Sequence, residues 1–171
     1  MRYSQPLVLV LALCSLVGCS EDEPTVEEFV AEFDVVALEF YRIAVELNNQ
    51  PMPELTGDRK TDLQNFSTML RADAVKFDPV IERIENLVAP SDPPEAEQLR
   101  QLFLDTVVLI RDDLLQSATD IDNGQRPTFA TSFEQTIVIN MMKIADLADL
   151  IGMDSSGFRR YAEETEAAIL E

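Results

Sequence analysis

Apolar residues recur at three- and four-residue steps along most of the chain, with charged and polar residues between them. This spacing places the apolar side chains on one face of an α-helix. It predicts four long amphipathic helices and a shorter one at the C-terminus. Their apolar stripes contain Val26, Phe29, Phe33, Phe40 and Leu47; Leu63, Phe66, Leu70, Phe77, Ile81 and Val88; Leu99, Phe103, Thr106, Ile110 and Ile121; Phe129, Phe133, Ile137, Met141, Ile144 and Ile151; and Phe158, Tyr161 and Ile169.

Prolines and glycines mark where these helices begin and end. The first helix is expected to end before Pro51, because proline cannot continue it. Pro79 falls inside the second stripe, where it either kinks the helix or splits it into two. Asp92 is predicted as the N-cap of the third helix, with Pro93 at its first position. Gly124 is a natural C-terminal stop for that helix.

No segment alternates apolar and polar residues for long enough to predict a strand. Four long helices with short connections pack most simply as an antiparallel bundle. We therefore predict an all-α fold, an antiparallel four-helix bundle with a short fifth C-terminal helix that caps the bundle or lies across it. Residues 26–171 are expected to form this single domain.

The first 18 residues have the features of a secretory signal. Arg2 gives a positive start, residues 7–13 (LVLVLAL) form an unbroken apolar run, and the first acid is Glu21. The run is shorter than the roughly 20 apolar residues that span a bilayer, so a signal peptide is predicted rather than a transmembrane anchor. Its end, Leu16-Val17-Gly18-Cys19, resembles the lipobox of bacterial lipoproteins.

This resemblance implies a lipoprotein precursor. The signal peptide 1–18 is then removed, Cys19 carries the lipid, and residues 19–25 form a lipidated tether. More than one acyl chain makes such anchoring stable. Ser20, and not Asp, follows the cysteine, which by the enterobacterial sorting rule favours the outer membrane, facing the periplasm, if the host has one. Cys14 leaves with the signal, so the mature chain has no pair of thiols for a disulfide.

Charge and composition exclude several classes of function. The chain has 13 Lys and Arg against 32 Asp and Glu, a formal charge of -19. Nucleic-acid binding needs clustered Lys and Arg side chains and is not expected. The absence of His removes the commonest general base and metal ligand, and with it the di-iron sites of helical bundles. We therefore predict no catalytic residue, no metal site, no cofactor and no enzymatic activity.

Two groups of acids resemble sites but have simpler interpretations. Residues 120–124 look like the start of a calcium loop. The register that makes Gly124 the sixth residue, however, puts Ala130 at the twelfth, where a bidentate Glu is required. A polar helix end with a glycine cap is expected instead. Paired acids of the glycosidase kind are expected to be solvated residues on polar helix faces: Asp112, Asp113, Glu163, Glu164 and Glu166.

Asn140 is a polar residue close to the apolar stripe of the fourth helix. It could line an internal ligand cavity. It could also be a buried amide that fixes the register of two helices, or one that points to solvent at the edge of the stripe. The structural interpretations are favoured over the ligand site.

The segment from residue 20 to residue 39 contains eight acids and no base. This segment has three interpretations. An anionic lipid surface would repel it, or a basic protein partner could dock on it. The simplest interpretation is that a salty habitat selects acidic protein surfaces.

We predict an envelope lipoprotein attached to the membrane through Cys19. Its domain is expected to be a protein-interaction or structural accessory module with an envelope protein partner. The alternative is a small-molecule or cation-binding helical bundle.

Overall fold

The computed structural model describes residues 23–125 and 131–170, and every regular element in these ranges is an α-helix. The all-α fold class is therefore confirmed. The helices are α1 (Val26–Asn48), α2 (Arg59–Val75), α3 (Asp78–Asn86), α4 (Glu95–Asp122), α5 (Thr131–Leu150) and α6 (Ser156–Leu170). The predicted signal peptide 1–18, Cys19 and Phe129 lie outside the described residues.

The predicted tether passes into α1 through a capping box. The Thr25 hydroxyl accepts a hydrogen bond from the backbone N–H of Glu28 (3.2 Å), and the Glu28 carboxylate accepts one from the backbone N–H of Thr25 (2.8 Å). These bonds satisfy donors that the start of a helix leaves open. The bonds that the Glu28 carboxylate accepts, from the Thr25 backbone N–H and from the Thr25 hydroxyl (3.0 Å), hold the pKa of that carboxyl below its usual value.

Pro79 splits the predicted second helix into α2 and α3. α2 ends at Val75, and α3 begins at Asp78 with Pro79 in its first turn. Proline has no N–H to donate to the carbonyl four residues earlier, which here belongs to Val75, and its ring crowds that position. Proline is tolerated in a first turn, because the N–H groups there have no intrahelical partner.

The predicted N-cap at Asp92 is wrong. α4 begins at Glu95, directly after Pro94, and no side chain caps it. The helical region of backbone space is disfavoured for a residue that precedes proline. Here two consecutive residues, Asp92 and Pro93, each precede a proline, and the helix starts only after the last proline of the run.

The C-terminal end of α4 is a glycine-capped helix end, as predicted. Gly124 adopts a φ of 72° and donates its N–H to the carbonyl of Ile121 (2.9 Å). Positive φ is nearly free of strain for glycine alone. The carboxylate of Asp122 lies 2.6 Å from the guanidinium of Arg71 on α2, so this acid joins two helices.

A cluster of aromatic rings forms the centre of the core. Phe103 of α4 contacts Phe33 and Phe40 of α1 and Phe158 of α6, with ring centroids 5.2, 5.4 and 5.8 Å apart. All four rings are fully buried. α6 therefore contributes to the centre of the core, whereas the sequence predicted a helix that caps the bundle or lies across it.

Ion pairs connect neighbouring helices. Two pairs join α1 to the α2–α3 segment, and two join that segment to α4. In each set the residue number rises on one side as it falls on the other. The pairs are Glu39–Arg83 (2.7 Å), Glu46–Lys76 (2.9 Å), Arg71–Asp122 (2.6 Å) and Asp78–Arg111 (3.6 Å). α5 packs against α4 and α6.

Candidate functional site

The last residues of the predicted tether lie against the connection between α3 and α4. The carboxylate of Glu23 accepts a hydrogen bond from the backbone N–H of Ser91. Cys19, the predicted site of lipid attachment, precedes Glu23 by four residues in the sequence, so the predicted tether joins the domain at the end that contains the start of α1.

Asn140 is half-buried between α5 and α4. Its side-chain amide donates to the hydroxyl oxygen of Thr106 (3.1 Å), and that hydroxyl donates to the carbonyl of Leu102 (2.7 Å). Thr106 is fully buried. A polar group that is paired across two packed helices opposes sliding of one helix along the other, which is the arrangement expected of a register residue.

α1 is apolar on two opposite faces. Its buried face contains Phe29, Phe33, Val36, Phe40 and Ile43. A second set projects about 180° away, since each helical residue turns by about 100°. This set, the outer α1 face, consists of Ala31, Val35, Leu38 and Val45. The last three expose 50%, 61% and 59% of their surface. An exposed apolar stripe along one helix is a common feature of interaction sites.

The outer α1 face was not predicted from the sequence. A signal was present, because residues 31, 35 and 38 follow the same four- and three-residue steps as a buried stripe, and Val45 lies seven residues, about two turns, after Leu38. The stripe from Val26 to Leu47 already accounted for the helix, and a second stripe becomes visible only when the solvent-facing side of α1 is known.

A groove runs beside this face, between α1 and α3. Its volume is about 550 Å³. Apolar side chains of α1 and one that directly follows α3 line it, together with polar and charged side chains of both helices. The apolar residues are Ala31, Val35, Val36 and Leu87, and the others are Glu32, Glu82, Arg83 and Asn86.

The acids around the outer α1 face are largely unpaired, while most of the nearby bases are paired. Within the described residues, Glu27, Glu32 and Asp34 form no hydrogen bond or ion pair through their side chains. By contrast, Arg83 already binds Glu39 at 2.7 Å. The net charge left for a partner to meet is therefore negative.

One base interrupts the outer α1 face. Arg42 lies between Leu38 and Val45 and is highly exposed, with its guanidinium 4.0 Å from the Glu39 carboxylate. The acidic, apolar part of the face is therefore the N-terminal part, which is the part nearest the predicted tether.

A second apolar groove lies at the other end of α1. The connection between α1 and α2 runs beside α2 and leaves Met52 and Leu55 exposed by 68% and 85%. With Leu63 and Phe66 they line a space of about 470 Å³.

A third groove, of about 300 Å³, lies between α1 and α6. Tyr41 lines it with a buried hydroxyl that has no hydrogen-bond partner among the described residues. Gly157 faces this ring so closely that a Cβ there would lie 3.1 Å from the hydroxyl oxygen. Burial raises the pKa of Tyr41 far above its usual value, so the phenol stays neutral. Arg160 and Glu164 also line this groove.

The predicted solvated carboxylates are mostly at the surface. Asp112 is exposed and pairs with Arg111 (2.8 Å), and the three glutamates of α6 (Glu163, Glu164 and Glu166) are also exposed. Asp113 is half-buried, and its pKa is raised by that burial and by the nearby charges of Asp120 and Glu134.

The described residues contain no group of three His, Cys, Asp or Glu side chains placed to hold a metal ion. No helix in this part of the chain is both long and apolar enough to cross a bilayer.

No family model, curated protein or solved structure matches this chain.

Proposed function

We propose that this chain is the precursor of a lipid-anchored cell-envelope lipoprotein whose helical domain is a protein-interaction module. The observation that carries the proposal is the outer α1 face. Val35, Leu38 and Val45 are each at least half exposed on the helix that directly follows the predicted tether. Full burial of a Val or Leu side chain contributes about 1.5–3 kcal/mol, and because about half of each side chain is exposed here, a partner that covers the face gains part of that free energy from each.

The interior of the domain supports binding at the surface over binding inside it. The rings of Phe33, Phe40 and Phe103 fill the centre of the core. The amide of Asn140 is occupied by Thr106. A second candidate function, binding of a small molecule, is favoured by one observation, the unpaired Tyr41 hydroxyl beside the α1–α6 groove.

Within this proposal the domain is an antiparallel four-helix bundle. The α2–α3 segment together takes the second position, and α6 is the additional C-terminal helix. The four inter-helix ion pairs support the antiparallel directions of the first three members. The residues 26–171 then form one domain held to the membrane by residues 19–25.

The lipid anchor makes a direct prediction. A Cys19→Ala variant should lose membrane attachment and keep its helical circular dichroism spectrum, because Cys19 precedes the domain. Fractionation of the envelope measures the first outcome, and mass spectrometry of the native protein should show acyl groups on an N-terminal Cys19. A native protein that retains Met1 would contradict the lipobox assignment.

The outer α1 face makes a second prediction. A photo-crosslinking amino acid at position 38 of the anchored protein should form a reproducible adduct with one envelope protein. The same group at Leu150, an exposed leucine of α5, is the matched control and should not form that adduct. If the two positions crosslink to the same proteins or to none, the outer α1 face is not an interaction site.

A further inference from the structure

We propose that the outer α1 face and the α1–α3 groove beside it bind a basic amphipathic helix of a partner protein. This inference rests on the proposed function and adds the chemistry of the partner. The site combines an apolar floor with a surplus of unpaired acids, and each property restricts what can occupy it.

The shape of the site suits a helix. Val35 and Leu38 are three residues apart on α1, and the groove next to them is lined by Ala31 and by Leu87, which directly follows α3. A groove between two helices accepts the apolar stripe of a third, with contacts at every third or fourth residue. The part of α1 that precedes Arg42, from Glu27 to Leu38, rises by about 16 Å, which matches about 11 residues of a partner helix.

The charges select a basic partner. Glu27, Glu32 and Asp34 flank the apolar residues on α1, and Glu82 stands on the α3 side of the groove; all four are exposed. No described residue pairs with their carboxylates. Lysine or arginine residues beside the partner's apolar stripe would lie opposite these acids, which favours both encounter and orientation.

The same charges argue against two other occupants. A second copy of this chain would present the identical acids, and like charges that face each other in an interface are unfavourable. An anionic lipid surface would be repelled for the same reason. A basic helix covers the apolar stripe and compensates the carboxylates at once.

The test uses the full-length lipidated protein in nonionic detergent and a fluorescent 18-residue peptide with leucines at helical spacing flanked by lysines. Two control peptides have the same composition in scrambled order, or glutamate in place of lysine. Anisotropy titration should give the tightest binding for the basic amphipathic peptide. Equal binding of the scrambled peptide would overturn the inference, because attraction to any basic chain needs no docking surface.

Protein variants locate the binding. Joint substitution of Val35→Ser and Leu38→Ser should weaken the Kd by about tenfold or more, as expected for residues near the centre of an interface. The matched control, Val75→Ser with Leu150→Ser, removes two exposed apolar residues elsewhere and should change the Kd less than twofold. Circular dichroism verifies that both variants are folded.

A second pair of variants isolates the charges. Replacing Glu27, Glu32 and Asp34 by their amides should weaken the Kd by about tenfold, since each pairs with the peptide. Replacing Glu163, Glu164 and Glu166 by glutamine removes the same charge from α6 and should have little effect. Equal losses in the two triple variants would mean that net charge alone attracts the peptide.

The outcome also separates this inference from the proposed function. An envelope protein crosslinked at position 38 through a non-basic or non-helical segment would overturn the inference and leave the interaction module in place. Absence of any specific adduct at position 38 would contradict the interaction module itself.

Discussion

Tyr41 has a buried hydroxyl for which the described residues provide no hydrogen-bond partner. Its ring packs against Phe158 and Tyr161 of α6, with centroids 5.6 and 6.2 Å apart. The ring therefore contributes to the packing of α1 on α6, while the hydroxyl loses its hydration. A buried polar group without a partner costs about 1–3 kcal/mol.

Tyr41→Phe should therefore stabilise the domain by about 1 kcal/mol, because it removes the unpaired hydroxyl and keeps the ring. Urea denaturation measures the change. Tyr161→Phe is the matched control, and it should not stabilise, because in the described part of the chain the Tyr161 hydroxyl is not among the buried side-chain groups that lack a hydrogen-bond partner. A loss of stability on Tyr41→Phe would show that the hydroxyl is bound, for example by water in the α1–α6 groove.

Asn140 shows how far a single residue can be interpreted from sequence. Its place beside an apolar stripe identified it as unusual, and the register role was among the predicted interpretations. Its partner, Thr106, could not be predicted. The two residues are 34 positions apart, and only the packing of α5 on α4 decides which threonine or carbonyl the amide meets.

At the scale of the elements, α2 differs from the other helices in its packing. It packs mainly against α4, and its buried contact consists of Leu70 with Ala118 and Ile121, a cluster separate from the main core. Segments with few buried contacts open at a lower free energy than the rest of a domain. α2 and the end of α4 are therefore expected to open first.

Hydrogen exchange should show this difference. Amides near Leu70 and Ile121 should exchange at least tenfold faster than those near Phe103, a difference of about 1.4 kcal/mol in opening free energy. Ile121→Ala should accelerate exchange in α2 and leave the region of Phe103 nearly unchanged. Ile144→Ala, in the main core, should accelerate both regions; uniform exchange in the unsubstituted protein would contradict the separate cluster.

α1 shows what helical periodicity can and cannot specify. The stripe from Phe29 to Leu47 predicted a helix with one buried face, and the structure has that helix. Periodicity does not tell which of two apolar stripes is covered. That choice depends on where α3, α4 and α6 pack, and those helices cover Phe33 and Phe40 and leave Val35 and Leu38 exposed.

At the scale of the whole molecule, charge repulsion is the dominant electrostatic property. The formal charge is -19, and a net charge far from zero destabilises a compact state through self-repulsion. The fold nevertheless stabilises the ionised form of some acidic side chains. Hydrogen bonds from Ser67 and Arg71 hold the pKa of Asp122 below its usual value, so its contribution is present above the pKa of an unfolded aspartate and is lost as the pH falls through the lowered value.

Added salt should therefore stabilise the domain at neutral pH. Raising sodium chloride from about 0.01 M to 1 M shortens the screening length from about 30 to 3 Å. We expect calorimetry to show a Tm higher by several degrees, since about 1 kcal/mol corresponds to roughly 2–4 °C for a chain of this size. Near the sequence pI of 4.1 the increase should almost vanish. A lower Tm in salt at pH 7 would mean that surface ion pairs outweigh the repulsion.

The sequence by itself determined the all-α class and the approximate position of each described helix. It also determined the glycine cap after α4, because apolar periodicity, prolines and glycines act within a few residues. Only the tertiary structure decided that Phe158 lies at the centre of the core, that Asn140 meets Thr106, and that α1 has an uncovered apolar face. These features depend on contacts between residues far apart in the chain, and local pattern contains no information about which surfaces meet.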